Sequence, residues 1–162
     1  MSRSIFYGMP GDWPGRAGAK NLPWHQRVTH VEQAMVADVA DAVGVKFDKR
    51  QFVPYVQLHE FESLAFADVS KLAAVAAALK NFNASAIESH FSEILAEAGN
   101  AEAINYGHDT CPFRRITAYV PAFAKRLHSP MVVKRIGFQQ LRKACAHFSN
   151  WVTTLEVLSP AR

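Results

Sequence analysis

Cysteine is scarce in this sequence, and its scarcity excludes two classes of protein. Only Cys111 and Cys145 occur among the 162 residues. Two scattered cysteines supply neither a disulfide framework nor the ligands of a zinc ribbon. A reducing compartment is the simpler setting for such a chain. We therefore expect a cytoplasmic protein.

Long apolar runs are also missing. No window approaches the roughly 20 apolar residues of a membrane-spanning helix, and the N-terminus lacks the apolar core of a signal peptide. We therefore expect no membrane partner. With 49% hydrophobic and 20% charged residues, the composition is instead ordinary for a folded domain. At this length one hydrophobic core is sufficient, so the sequence predicts a single domain over residues 1–162.

Acidic side chains are nearly absent from the C-terminal third. From His108 onward there are nine Lys and Arg residues against two Asp and Glu, whereas the preceding residues hold nine against twelve. Basic pairs on short helices either form a phosphate-binding surface or solvate an exposed helix face. Both interpretations stay open. As candidate contacts to nucleic acid or phosphate we name Arg114, Arg115 and Arg142.

The apolar periodicity predicts strand, helix and strand in the first part of the chain. A short apolar segment covers residues 4–7, a helical rhythm runs from Trp24 to Val43 before Gly44, and residues 51–58 are rich in Val, Phe and Tyr. That order is typical of a βαβ unit. After residue 58 the pattern predicts helices at residues 69–80, 85–98, 114–127, 138–144 and 148–158. The sequence thus predicts an α/β fold with a mostly helical C-terminal half.

One imidazole and two carboxylates directly follow the second predicted strand. They are His59, Glu60 and Glu62, and strand ends are where α/β proteins place chemistry. We predict all three as catalytic candidates, with Glu60 and Glu62 as ligands of Mg²⁺ or Mn²⁺. In the alternative, one carboxylate pairs with a nearby Arg while His59 bonds to the backbone. The spacing alone does not decide between them.

A polar, turn-rich segment at residues 105–115 precedes a predicted helix. Backbone N–H groups at a helix start, together with Arg114 and Arg115, are suited to hold a phosphate. The alternative is an ordinary helix cap formed by Asp109 or Thr110. If the first interpretation is right, this segment and the His59–Glu62 cluster should meet in one pocket.

The chain also resembles a known family. Residues 52–68 look like the signature of a bacterial family catalogued as domain of unknown function 4276. Further segments agree in the same order, at residues 6–15, 103–105, 110–115, 136–142 and 145–156. The resemblance implies a TOPRIM-like α/β domain, as found in topoisomerases, primases and overcoming-lysogenization-defect nucleases. It also implies a role in phage defence beside a partner ATPase.

The resemblance further implies a metal centre that this chain lacks in part. TOPRIM-like domains hold Mg²⁺ with a glutamate after the first strand and an aspartate after a later strand. Here the expected Val-Glu-Gly segment is missing, and Ile5 stands where the family commonly has Asp. We therefore expect an N-terminally truncated, catalytically impaired nuclease in which Mg²⁺ binding is weak or absent. The alternative function is a non-catalytic module that binds nucleic acid or the partner ATPase.

Overall fold

In the computed structural model, the residues described are 9–57, 59–79, 83–104 and 110–158. Within them lie eight α-helices: α1 (Arg16–Ala19), α2 (Trp24–Val43), α3 (Val69–Ala77), α4 (Ala84–Ala98), α5 (Pro112–Tyr119), α6 (Lys125–Ile136), α7 (Phe138–Ala144) and α8 (Ala146–Leu158). Short 3-10 segments lie at Gly44–Lys46, Lys49–Gln51, Phe61–Ala67 and Ala101–Ala103. None of these helices is long and apolar enough to cross a membrane.

Local signals account for the starts of α3 and α4 and for the end of α4. The Asp68 side chain accepts the Lys71 N–H at the start of α3, and the Asn83 side chain accepts the Ser85 and Ala86 N–H groups at the start of α4. Gly99, with φ of 81°, ends α4 in a conformation that other residues rarely adopt. These short-range signals are the ones that sequence reasoning detects best.

The predicted helix over residues 114–127 is in fact two helices. α5 ends at Tyr119 and α6 begins at Lys125. The residue after Val120 is Pro121, which disfavours a helical conformation in the residue before it. Val120 accordingly has φ −124° and ψ 79°. Proline therefore separates the two basic helices.

The predicted α/β class, with a partial TOPRIM-like βαβ core, is wrong. The residues that the structure describes contain no strand, and the fold they form is helical. Of the two predicted strands, residues 4–7 and Leu58 lie outside the described part. Residues 52–57 are irregular, and side chains satisfy some of their polar groups: Val56 N–H donates to Glu32 Oε1 at 2.7 Å, and Trp151 Nε1–H donates to the Val53 carbonyl at 3.1 Å.

Residue contacts group the chain into two compact units. One comprises His59–Ser149, and the other combines the described residues of Ser4–Leu58 with those of Asn150–Arg162. In the first unit the segment Phe61–Ala67 is buried from Glu62 onward and contacts α5, α6 and α7. Phe66, Leu72, Ile87, Phe91, Ile116 and Val132 are among the apolar side chains of its core.

The second unit has a smaller core of its own. Ala19, Val28, Val31 and Val56 form its buried centre. α1 packs closely on α2 because Gly15 has no side chain: a Cβ there would lie 2.7 Å from the Ala34 Cβ. The prediction of one domain over residues 1–162 stays a prediction, since these contacts do not measure independent folding.

Candidate functional site

The first feature of interest is a buried group of charges at the start of the Phe61–Ala67 segment. Glu60 precedes this segment and is half-buried, while Glu62 is only 1% exposed. The Lys125 ammonium lies between them, with Nζ 2.8 Å from Glu60 Oε1 and 3.0 Å from Glu62 Oε2. We call Glu60, Glu62 and Lys125 the carboxylate–lysine cluster. It places two carboxylates around one cation.

The two carboxylates bind this cation differently. Glu60 accepts a hydrogen bond from Lys125 and, through Oε2, a second one from the Phe113 N–H at 3.1 Å. Glu62 Oε2 forms an ion pair with Lys125 but lacks the angular geometry of a hydrogen bond. The interaction at Glu62 is therefore mainly a charge attraction, and the Glu62 carboxylate itself is shielded from water.

The electrostatics of the cluster favour its charged form. Burial alone would raise the pKa of Glu60, but the hydrogen bonds from Lys125 and the Phe113 N–H outweigh it and lower that pKa. Burial would likewise lower the pKa of Lys125, yet the two carboxylates raise it above its ordinary value. The pKa of the neighbouring Cys111 thiol is raised by burial and also by Glu60. Cys111 is thus a protonated neighbour rather than a nucleophile.

These residues do not fit a magnesium centre. Mg²⁺ requires an octahedral shell of oxygen ligands, and here an ammonium group lies at hydrogen-bond distance from both carboxylates. In the described part of the chain, no three His, Cys, Asp or Glu side chains lie close enough together to hold a metal ion. Glu60 and Glu62 are paired with a lysine, which resembles the alternative of a carboxylate–cation pair more than a ligand set.

Arg115, one of the predicted arginines, has partners outside this cluster. Arg115 donates to the Thr110 carbonyl at 2.9 Å and pairs with Glu97 at 3.6 Å, while Arg114 is exposed on α5. Arg115 borders a cavity of about 330 Å³ together with His90, Glu93, Ile94, Glu97, Thr110 and Ala118. The Phe113 backbone reaches Glu60, so the two predicted segments are neighbours. Their side chains nevertheless point to different partners.

His59 and Arg142 complete the predicted set. His59 is buried at 8% exposure, immediately before the carboxylate–lysine cluster in the chain. Arg142 lies on α7 with its guanidinium carbon 5.8 Å from the centre of the Phe138 ring. The roles predicted for His59, Glu60, Glu62, Arg114, Arg115 and Arg142 stay predictions. Sequence reasoning missed Lys125 as the partner of the carboxylates, because 65 residues separate it from Glu60.

A second feature is a set of exposed cations on α6 and α7. Arg126, Lys134, Arg135 and Lys143 are exposed, and none of them pairs with a carboxylate among the described residues. We call these four residues the cationic surface. Between Thr110 and Leu155 the sequence contains no Asp or Glu at all. Nothing in that stretch of sequence offsets their charge.

Apolar side chains accompany this surface. Leu127 and Met131 are four residues apart on α6 and are 59% and 41% exposed, and Phe138 at the start of α7 is 49% exposed. Residues at that spacing share one helix face. Exposed apolar groups beside unpaired cations are more typical of a binding surface than of an ordinary solvated helix.

Glu102 provides a contrasting, structural use of a carboxylate. It is buried at 8% exposure and accepts the His147 and Phe148 N–H groups at 2.9 and 3.1 Å. These N–H groups belong to the first turn of α8, which has no intrahelical partner for them. Glu102 therefore caps α8 from a distant part of the chain.

Comparison with known proteins identifies a family and nothing finer. The family described as Domain of unknown function (DUF4276) matches residues 7–156. No curated protein and no solved structure matches the chain.

Proposed function

The chain belongs to the DUF4276 family, and we propose that it is a non-catalytic module that binds nucleic acid through the cationic surface of α6 and α7. The observation that carries this proposal is the set of four exposed cations without carboxylate partners among the described residues. It corresponds to the alternative function predicted from the sequence, with the contacts assigned to the exposed cations of α6 and α7 in place of the predicted Arg114, Arg115 and Arg142.

Charge pairing decides which basic residues are available to a ligand. Lys125 is held by Glu60 and Glu62, and Arg115 is held by Glu97 and the Thr110 carbonyl. A phosphate would have to displace these partners. Lys134, Arg135 and Lys143 have no such competitor within the described ranges, so each is able to neutralise a phosphate and release its counterion.

The geometry of the carboxylates supports a structural role for them. Glu60 and Glu62 link the Phe61–Ala67 segment to α5 through the Phe113 N–H and to α6 through Lys125. Two-metal and one-metal phosphodiester chemistry needs ion ligands that are open to the metal. Both carboxylates are engaged by a lysine, so the described part of the chain contains no arrangement of ligands that supports a nuclease activity. No feature of the described residues specifically supports binding to a partner ATPase.

The test is the salt dependence of binding, measured with two matched triple variants. The first is Lys134→Ala/Arg135→Ala/Lys143→Ala, which removes three charges from the cationic surface. The control is Lys20→Ala/Lys46→Ala/Lys49→Ala, which removes three exposed charges from the other compact unit. Both variants have the same net charge, so a difference between them reports on position.

We expect the chain to bind a labelled DNA duplex in a fluorescence anisotropy titration, with log K falling linearly as log salt rises. The magnitude of this slope should decrease by about 0.9 for each phosphate that the protein no longer neutralises. We therefore expect a decrease of about 2 to 3 in Lys134→Ala/Arg135→Ala/Lys143→Ala and little change in the control variant. Equal slopes in the two variants would contradict the assigned surface. Absence of salt-sensitive binding in the unmodified chain would overturn the function and favour an acidic protein as the partner.

A further inference from the structure

Phe138 is an aromatic side chain held in place beside the cationic surface. It is the first residue of α7, directly after Gly137, whose φ of 80° ends α6. Its ring and the Phe148 ring pack edge to face, with centroids 6.0 Å apart and planes at 81°. With this contact formed, 49% of the Phe138 residue remains exposed.

Cations lie on both sides of Phe138 along the chain. Lys134 and Arg135 end α6 just before it, and Arg142 and Lys143 follow it on α7. The Arg142 guanidinium carbon lies 5.8 Å from the ring centre, which places a positive charge next to the aromatic face. A ring with flanking cations is the combination that proteins use for single strands, in which bases stack and phosphates pair with basic side chains.

The other exposed phenyl and phenol rings of this compact unit have different surroundings. Phe61 lies between Glu60 and Glu62 in sequence, and Tyr119 stacks on His90 with centroids 4.4 Å apart. Glu93 and Glu97 border the cavity beside His90. Carboxylates repel phosphates, so these rings are poor platforms for nucleic acid. Of these three exposed rings in the described part of this unit, Phe138 is the one preceded and followed in sequence by exposed cations without a carboxylate partner, namely Lys134, Arg135 and Lys143.

We propose that the ligand of this surface is single-stranded nucleic acid, and that one base stacks on Phe138 while the flanking cations contact the phosphates. This inference rests on the proposed function and names its substrate class. In a duplex the base faces are covered by neighbouring bases, so only phosphates and base edges would meet the surface. A single strand exposes the faces of its bases, and a base of any type is able to stack on the Phe138 ring.

The experiment compares three probes of equal length: a single-stranded DNA of mixed sequence, its duplex, and an abasic strand that carries the same phosphates without bases. Four proteins are titrated with each probe at the same series of salt concentrations: the unmodified chain, Phe138→Leu, Phe138→Trp and Phe61→Leu. Leucine keeps an apolar side chain against Phe148 but removes the aromatic face. Thermal unfolding by circular dichroism checks that each variant is folded.

We expect the unmodified chain to bind the mixed strand at least about fivefold more tightly than the abasic strand, the low end of the range for stacking one base on an aromatic side chain. Phe138→Leu should abolish that advantage and leave binding of the abasic strand unchanged. Phe138→Trp should keep it, because tryptophan offers a larger stacking face, and Phe61→Leu should behave as the unmodified chain.

Two kinds of failure are distinguishable. The stacking inference would be wrong if the mixed and abasic strands bound with equal affinity, or if Phe138→Leu kept the preference for the mixed strand. In either case salt-sensitive binding of the probes would still support the proposed function. If none of the three probes showed salt-sensitive binding, the proposed function and the inference would both be wrong.

Discussion

Replacing Lys125 with methionine should destabilise the protein more than removing any similarly exposed lysine. The change leaves Glu60 and Glu62 without their common cation. Removing one partner of a buried ion pair costs about 3–5 kcal/mol, because the remaining charge stays desolvated. Here the Lys125 and Glu60 side chains are 42% and 30% exposed, so water screens their part of the interaction. Glu62, with a side chain 2% exposed, has no such relief.

The expected loss is therefore below the full value, at about 2–3 kcal/mol of unfolding free energy. In a chain of this size that corresponds to a fall in Tm of roughly 4–12 °C. Urea denaturation and thermal scans both measure it. A suitable control is Lys71→Met, since Lys71 is 43% exposed and pairs with Asp68 at 3.2 Å near the surface. We expect the control to lower the unfolding free energy by at most about 1 kcal/mol.

A double variant separates charge from packing. Glu62→Gln removes the buried charge, so Lys125→Met/Glu62→Gln should be more stable than the sum of the two single changes predicts, by about 1 kcal/mol or more. Additive losses would show that Lys125 and Glu62 are not coupled, so that Lys125 stabilises through Glu60 or through its methylene chain. A Lys125→Met variant no less stable than Lys71→Met would refute the reasoning about the desolvated carboxylate.

Three further predictions concern titration, capping and chemistry. Because the folded pKa of Glu60 is depressed, its stabilisation is complete above the ordinary value of 4.5 and is lost as pH falls through the lower folded value. Urea denaturation at stepped pH should thus show a steeper acid loss in the unmodified chain than in Glu60→Gln. Glu102→Ala should lower the unfolding free energy by about 1–3 kcal/mol by leaving two buried N–H groups unsatisfied, whereas Glu93→Ala, at an exposed position, should change it little. Incubation with Mg²⁺ should leave DNA intact on a gel, and Mg²⁺-dependent cleavage abolished by Glu62→Gln would restore the nuclease interpretation.

Helix predictions succeeded where the determinants are close in sequence, whereas side-chain caps were not predicted correctly: α5 begins after Cys111 without a side-chain cap, in place of the cap considered at Asp109 or Thr110. The predicted helix from Trp24 to Val43 and the stop at Gly44 match α2, and the predicted helix at residues 138–144 matches α7. Apolar periodicity reports which face a segment buries, and Gly or Pro reports where it ends. The prediction of one helix over residues 114–127 was wrong because Pro121 disfavours a helical conformation at Val120, although the apolar pattern continues across it.

The family assignment was likewise available from sequence, since its motifs are local, and the match over residues 7–156 confirms it. The fold that the resemblance implied was not confirmed in the described residues. A strand needs a partner, and nothing in the Val, Phe and Tyr content of residues 51–58 specifies one. In the structure, Glu32 and Trp151 meet polar backbone groups of this segment instead.

The sequence by itself determined most of the helices and the concentration of positive charge after residue 107, because these depend on composition and on neighbours within a few positions. Only the tertiary structure decided which of those charges are available to a ligand. Lys125 and Lys134 both lie on α6, in a part of the sequence without Asp or Glu. Helix packing nevertheless places Lys125 against Glu60 and Glu62, whereas Lys134 is exposed to solvent. Ion pairs between distant segments depend on how helices pack, and that information is not contained in local spacing.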